Sequence, residues 1–249
     1  MKEGKKLKDT EGQEGETVLT GSLDQLFFST LPHLIADVPI FLLWGEPHFE
    51  DNPLFKKLLP YTTRLIFQAD CVQAKRAKEM LDLMQQMPIE LVDLNWARLS
   101  AWRDVFSRVF DTKDQVRKLM AAESITIEYR EPVVRATYLK GWLEAQAGLR
   151  RKVELKKSEN TKIPDGEIAK VICQLEPGVD IKMERKGQDS QVEIQTTLQE
   201  ICKLPYMIPL LDFSSSLTFM KELFYYPYGQ HYKNTLGAIA SHEADVCQE

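Results

Sequence analysis

The sequence contains no G-x-G-x-x-G and no G-x-x-x-x-G-K-[ST] run, and its 12 glycines are dispersed. No loop is therefore built to cradle a pyrophosphate on backbone N–H groups, which sets aside the usual dinucleotide and P-loop chemistries. A G-x-S-x-G nucleophile elbow is also missing. The histidines His33, His48, His231 and His242 never fall three or four residues apart, so there is no helical metal pair. Cys71, Cys173, Cys202 and Cys247 are too scattered for a C-x-x-C redox or zinc pair. They read as reduced thiols, mostly small buried hydrophobes, with a regulatory thiol left open. Positive charge is not in excess either: 32 Lys+Arg stand against 37 Asp+Glu, a net charge of -5. That balance argues against nucleic acid and anionic membrane as partners. The longest apolar run, Val38 to Trp44, is far short of a membrane span. The start, MKEGKKLKDTEGQEGET, mixes both charge signs without an apolar core, so no secretory signal is read and a cytoplasmic protein is expected. These gaps leave no catalytic residue, cofactor or metal to nominate by motif.

What is present alternates between strand and helix. The runs VPIFLLW (Val38 to Trp44), RLIFQ (Arg64 to Gln68), Ile89 to Leu94 and ITIEY (Ile125 to Tyr129) read as strands. The continuous apolar character of VPIFLLW predicts a strand buried on both faces. Helical patterns lie between, over Ser22 to Ile35, Lys75 to Met87, Asn95 to Phe110, Asp114 to Glu123 and Pro132 to Ala147. Beyond Gly148 come a charged stretch and then short alternating strands, Ile168 to Leu175, Val179 to Arg185 and Gln191 to Thr197, separated by turns such as Glu176-Pro177-Gly178. The expected fold is α/β: an N-terminal three-layer, largely parallel sheet with flanking helices, then a smaller antiparallel β-meander plus a C-terminal helix. The expected division is a flexible charged tail over 1–15, an α/β Rossmann-like domain over 16–148, and a small α+β domain over 149–249.

One run stands out. DLNWARLSAWR, Asp93 to Arg103, places two of the 4 tryptophans and two arginines at a strand-to-helix junction. At 100° per residue, Leu99, Trp102, Phe106, Val109 and Phe110 share one arc, the face expected to be buried. Trp96 and Arg103 lie on one shoulder of that arc and Arg98 on the other. Asp93 or Asn95 shapes the helix entrance as a cap. Two readings stand. The run is a capped helix with its arginines lying over Trp102, or its aromatic and guanidinium groups face a partner protein, as in an interface hot spot. The second makes Trp96, Arg98, Arg103 and, on the preceding strand, Trp44 the candidate partner contacts.

Another reading places a small-molecule site, for a sugar phosphate or nucleotide, in the loop after VPIFLLW, around Trp44, Glu46 and His48. Ligands of parallel α/β sheets bind beyond the carboxyl ends of the strands; an acidic, solvated loop explains the same residues. The cluster Tyr225, Tyr226, Tyr228 and Tyr232 suits an interface or a junction within the chain.

The order of these motifs resembles the OpcA family, the glucose-6-phosphate dehydrogenase assembly proteins. VDLNWARLSAWRDVFSRVFD (Val92 to Asp111) is similar, almost position by position, to the family's DLNWARLTPWRE block. LIADVPIFLLWGEP (Leu34 to Pro47), YTTRLIFQAD (Tyr61 to Asp70) and LKGWLEAQAG (Leu139 to Gly148) are similar to further family segments, and FMKELFYYPYGQHYKNTL (Phe219 to Leu236) to its ending. Gly45 stands where the family carries a second tryptophan. The resemblance implies a non-catalytic partner of glucose-6-phosphate dehydrogenase, the first enzyme of the oxidative pentose phosphate pathway, acting on assembly or activation of the oligomeric enzyme.

Overall fold

The computed structural model describes residues 23–33, 38–46, 52–149, 153–186, 191–198, 201–210 and 229–242. The expected tail, His48, and the tyrosines at 225, 226 and 228 lie outside them.

The parallel sheet is three-stranded and is formed by β1 (Phe41–Trp44), β2 (Arg64–Phe67) and β3 (Glu90–Asp93) in that order. Its register aligns Trp44 with Phe67 and Phe67 with Asp93, so all three strands end on one line. Short α2 (Pro53–Leu58) and longer α3 (Ala74–Gln86) make the connections that parallel neighbours require. Asn52 caps α2, its Oδ1 accepting from the N–H groups of Leu54 and Phe55. β2 and β3 bury Leu65, Ile66, Leu91 and Val92 completely. β1 departs from the expected double burial: Phe41 is 39% and Leu43 58% exposed. It is the edge strand, and α1 (Leu23–Thr30) packs against α2, leaving that side of β1 open.

The second sheet is the larger. Its path runs β10 (Tyr206–Pro209), β8 (Gln191–Leu198), β7 (Val179–Arg185), β6 (Ile168–Glu176), β4 (Ser124–Tyr129) and β5 (Val153–Lys157), with β9 (Ile201–Cys202) paired to β8. The β6–β7–β8 meander matches the alternation in sequence, and Gly178 turns its first hairpin at φ 77°. β4 differs from expectation: it pairs antiparallel with β6 and parallel with β5 rather than joining β1–β3. Its sequence carried the signal. SITIEY alternates, burying Ile125 and Ile127 completely, whereas β2 is apolar nearly throughout.

Between the sheets runs α7 (Val134–Ala147), the crossover that joins parallel β4 and β5. It buries Val134, Ala136, Tyr138, Leu139, Gly141, Leu143, Glu144 and Ala147, too many for one amphipathic stripe. The C-terminal helix α8 (Gln230–Ala240) packs on α7 and α3. A Cβ built on Gly141 would stand 2.6 Å from Cγ1 of Ile239, so glycine sets the closeness of α7 and α8. The DLNW run forms two short helices, α4 (Leu94–Arg98) and α5 (Ser100–Val109), joined at Leu99, whose N–H reaches both Asn95 and Trp96 carbonyls. α6 (Lys113–Met120) follows with a Thr112/Gln115 capping box.

Candidate functional site

The site is built where the parallel strands end. Asp93 closes β3 and caps α4, its Oδ1 accepting from Asn95 N at 2.8 Å. Of the two cap candidates it is therefore Asp93 that serves. Its Oδ2 accepts from the Tyr138 hydroxyl at 2.5 Å, and Tyr138 Oη lies 3.2 Å from Tyr232 Oη. Asp93, Tyr138 and Tyr232 are all fully buried, and they tie β3, α7 and α8 together. Burial pushes the Asp93 carboxyl up to about 6, against the lowering effect of its hydrogen bonds from Tyr138 and the backbone and of the Arg76 charge. The same desolvation, joined by the Asp93 charge, raises both tyrosine hydroxyls well above their ordinary range. Neither tyrosine ionises at physiological pH. The cluster is a set of fixed hydrogen bonds.

Asn95 is also buried. Its Nδ2 donates to the Ala69 carbonyl at 2.7 Å and its Oδ1 accepts from Arg135 Nε at 3.4 Å. It thus joins the ends of β2 and β3 to α7.

Trp96 is 3% exposed, which corrects the expectation that it faces a partner. Its ring packs against Tyr138 at 5.9 Å and Tyr232 at 5.2 Å between centroids. The physical reason is α8, whose return to α3 and α7 covers the shoulder of the helix that the wheel left open. Arg103 is half-buried, with its guanidinium carbon 4.0 Å from the Trp96 ring and Nη1 donating to the Trp96 carbonyl at 3.2 Å. The aromatic–guanidinium pair is thus an intramolecular stack whose arginine keeps part of its surface. Arg98, in the last turn of α4, is also half-buried. Trp102 lies in the core as expected.

Trp44 stands at the same carboxyl edge, two strands from Asp93, or about 10 Å at the usual strand spacing. It is half-buried against Phe55 at 5.2 Å. Glu46 is exposed and accepts from Asn52 Nδ2 at 3.4 Å. With His48 outside the described residues, these two make no converging constellation.

Tyr138 was not singled out by sequence reasoning. The available signal was a tyrosine four residues from both Val134 and Trp142 on one helix face, since a hydroxyl on such a face needs a buried partner. Tyr232 belonged to the tyrosine cluster and proves to be a junction within the chain. Cys173 is buried, and desolvation pushes its thiol up to about 12, leaving it inert, while Cys202 is an exposed free thiol. Cys71 departs from the expected reduced state, being held in a disulfide. The expectation rested on scattered cysteines in a chain without a secretory signal, and separation along the chain does not fix distance in the fold. Among the described residues no group of three or more His, Cys, Asp or Glu side chains is placed to hold a metal. No described helix is long and apolar enough to cross a membrane.

Residues 89–223, more than half the chain, match the family model described as the C-terminal domain of a glucose-6-phosphate dehydrogenase subunit. The chain belongs to the OpcA family. Its similar relatives include OpcA proteins of Nostoc punctiforme, 28% identical over 117 residues, and Synechococcus elongatus, 25% identical over 119, both named provisionally for the OxPP cycle. These stretches cover 45% and 46% of this chain but 25% and 26% of the relatives, so it matches about a quarter of their length. The OpcA match opens at β3 and takes in Asp93, Tyr138 and α7, while β1 and β2 precede it and Tyr232, on α8, follows it.

Proposed function

We propose that this OpcA chain is a non-catalytic, cytoplasmic accessory protein that binds glucose-6-phosphate dehydrogenase and promotes its assembly or activation in the oxidative pentose phosphate pathway. One observation carries the reading: the match over residues 89–223 to a family described as a subunit of that enzyme. The fully buried Asp93–Tyr138–Tyr232 cluster supports a scaffolding role, because its polar groups are spent on one another. Any ligand that binds only the active oligomer shifts the dehydrogenase toward it by mass action.

The contact surface in this reading combines Arg98, Arg103 and Trp44 with the open side of β1. Trp96 acts through Arg103, holding its guanidinium in one orientation so that less freedom is lost on binding. Phe41, Leu43 and, on α1, Phe28 at 66% exposed supply apolar area. Titrating the cognate dehydrogenase with the full chain, while following activity and oligomer mass together, tests the proposal. A saturable rise in activity with a shift to the larger oligomer is expected. If neither changes and no complex forms, the proposal fails.

A further inference from the structure

Beyond β8 the chain turns back along the same strand, and its return is interrupted. Leu198 pairs with Ile201 and Thr197 with Cys202 in β9, and Ile194 then pairs with Tyr206 in β10. Four steps from Cys202 to Tyr206 therefore oppose three from Thr197 to Ile194, and the one extra residue makes a β-bulge. Lys203 N–H still reaches the Thr196 carbonyl at 2.9 Å, while Pro205 has no N–H to give. The surplus thus falls at Leu204 and Pro205, and Leu204 is thrown outward to 93% exposure. Ile201, Tyr206 and Met207 beside it are exposed as well.

We propose that this bulge is a second docking point for glucose-6-phosphate dehydrogenase, separate from β1, and that it seats Leu204 in an apolar pocket of the enzyme. The inference rests on the function proposed above.

A single exposed leucine needs no partner, but four large apolar side chains between Ile201 and Met207 form a patch with area to gain by burial. The patch lies inside residues 89–223, the stretch matched to the family described as a subunit of that enzyme, whereas Phe41 and Leu43 precede it. Its base is fixed, since β8 is held between β7 and β10, so little order has to be gained on binding. The contact is made by side chains. The bulge, Pro205 and Pro209 deny this edge the regular row of N–H groups that an added strand requires. A second copy of this chain fits the patch less well. A two-fold contact centred on Leu204 would bring the exposed Lys203 of each copy together, and like charges repel. An acidic rim around the enzyme's pocket would instead attract that ammonium.

Cys202 is a native reporter within the patch, an exposed free thiol whose Sγ lies 3.8 Å from Gln195 Nε2 and 3.8 Å from Thr197 Oγ1. The test follows alkylation of Cys202 by iodoacetamide, read from the mass of its peptide, in the full chain alone and with saturating cognate dehydrogenase. Calorimetric titration of the enzyme with wild type and Leu204→Ser runs beside it. Slower alkylation of Cys202 in the complex is expected. Leu204→Ser alters a side chain already in water, so its fold should stay intact while its affinity falls about tenfold or more, the worth of burying one leucine. Alkylation of Cys202 at its free rate within a wild-type complex, or equal affinity of Leu204→Ser, would overturn the docking point and leave the proposed function standing. A dimer of the free chain that Leu204→Ser dissociates, with affinity for the enzyme unchanged, would assign the patch to self-association and overturn it too. Failure of wild type to bind the enzyme at all would overturn both.

Discussion

Two arginine–aromatic pairs sit in the same parallel sheet region and meet opposite fates. Arg103 lies 4.0 Å from Trp96, and Arg64 lies 5.1 Å from Phe41. Trp96 is sealed at 3% exposure beneath α7 and α8, while Phe41 remains 39% exposed on an edge strand. Composition marked the first pair as interface-like and passed over the second. The difference shows that a guanidinium on an aromatic ring states a local chemistry. Whether it meets a partner is set by which elements return to cover it.

The comparison can be broken most forcefully at the buried pair. Trp96→Ala should cost about 3–5 kcal/mol in chemical denaturation, because the lost ring leaves a cavity between Tyr138 and Tyr232. A loss well below that would mean Trp96 is not packed as described. Next comes the carboxylate beneath it. The folded Asp93 carboxyl is held at about 6, above its ordinary 3.8, so the folded state binds this proton more tightly than the unfolded one. Its contribution to stability is fully present below pH 3.8 and is lost as pH rises through 6, an effect of about 3 kcal/mol. Asp93→Asn should flatten that segment of a stability–pH curve, and an unchanged curve would assign the titration to another group. Arg103→Gln should cost about 1 kcal/mol, the worth of a partly exposed cation–π contact and one hydrogen bond. Smallest of all, Phe41→Thr with Leu43→Thr should change stability by less than about 1 kcal/mol, since both side chains are already wet and Thr suits a strand. A large loss in that variant would show the edge to be packed.

Much of the fold was legible because its signals are local. Apolar runs gave β2 and β3, alternation gave the β6–β7–β8 meander, and turn chemistry gave Gly178. The partner of β4 was not legible from chain order, although the alternation of Ile125 and Ile127 distinguished it from the parallel strands. In the candidate site, Asp93 as a cap could be read from its place before an apolar helix. Its link to Tyr138 and, through that hydroxyl, to Tyr232 could not, since the tyrosines lie 45 and 139 positions along the chain and arrive only through the docking of α7 and α8. The burial of Trp96 was hidden for the same reason: its cover comes from an element the helical wheel does not contain. The resemblance to the OpcA family rested most strongly on contiguous residues, Val92 to Asp111, and the family match spans that block.

In the proposed function this chain grips glucose-6-phosphate dehydrogenase through its open surface while the Trp96 cluster holds that surface in shape. Calorimetric titration of the dehydrogenase with wild type and with the Phe41→Thr, Leu43→Thr variant measures it most directly. The account predicts a saturable complex for wild type and a loss of at least about 2 kcal/mol, roughly 30-fold, for the variant with its fold intact. Equal affinity for the two proteins, or no complex with wild type, would contradict it.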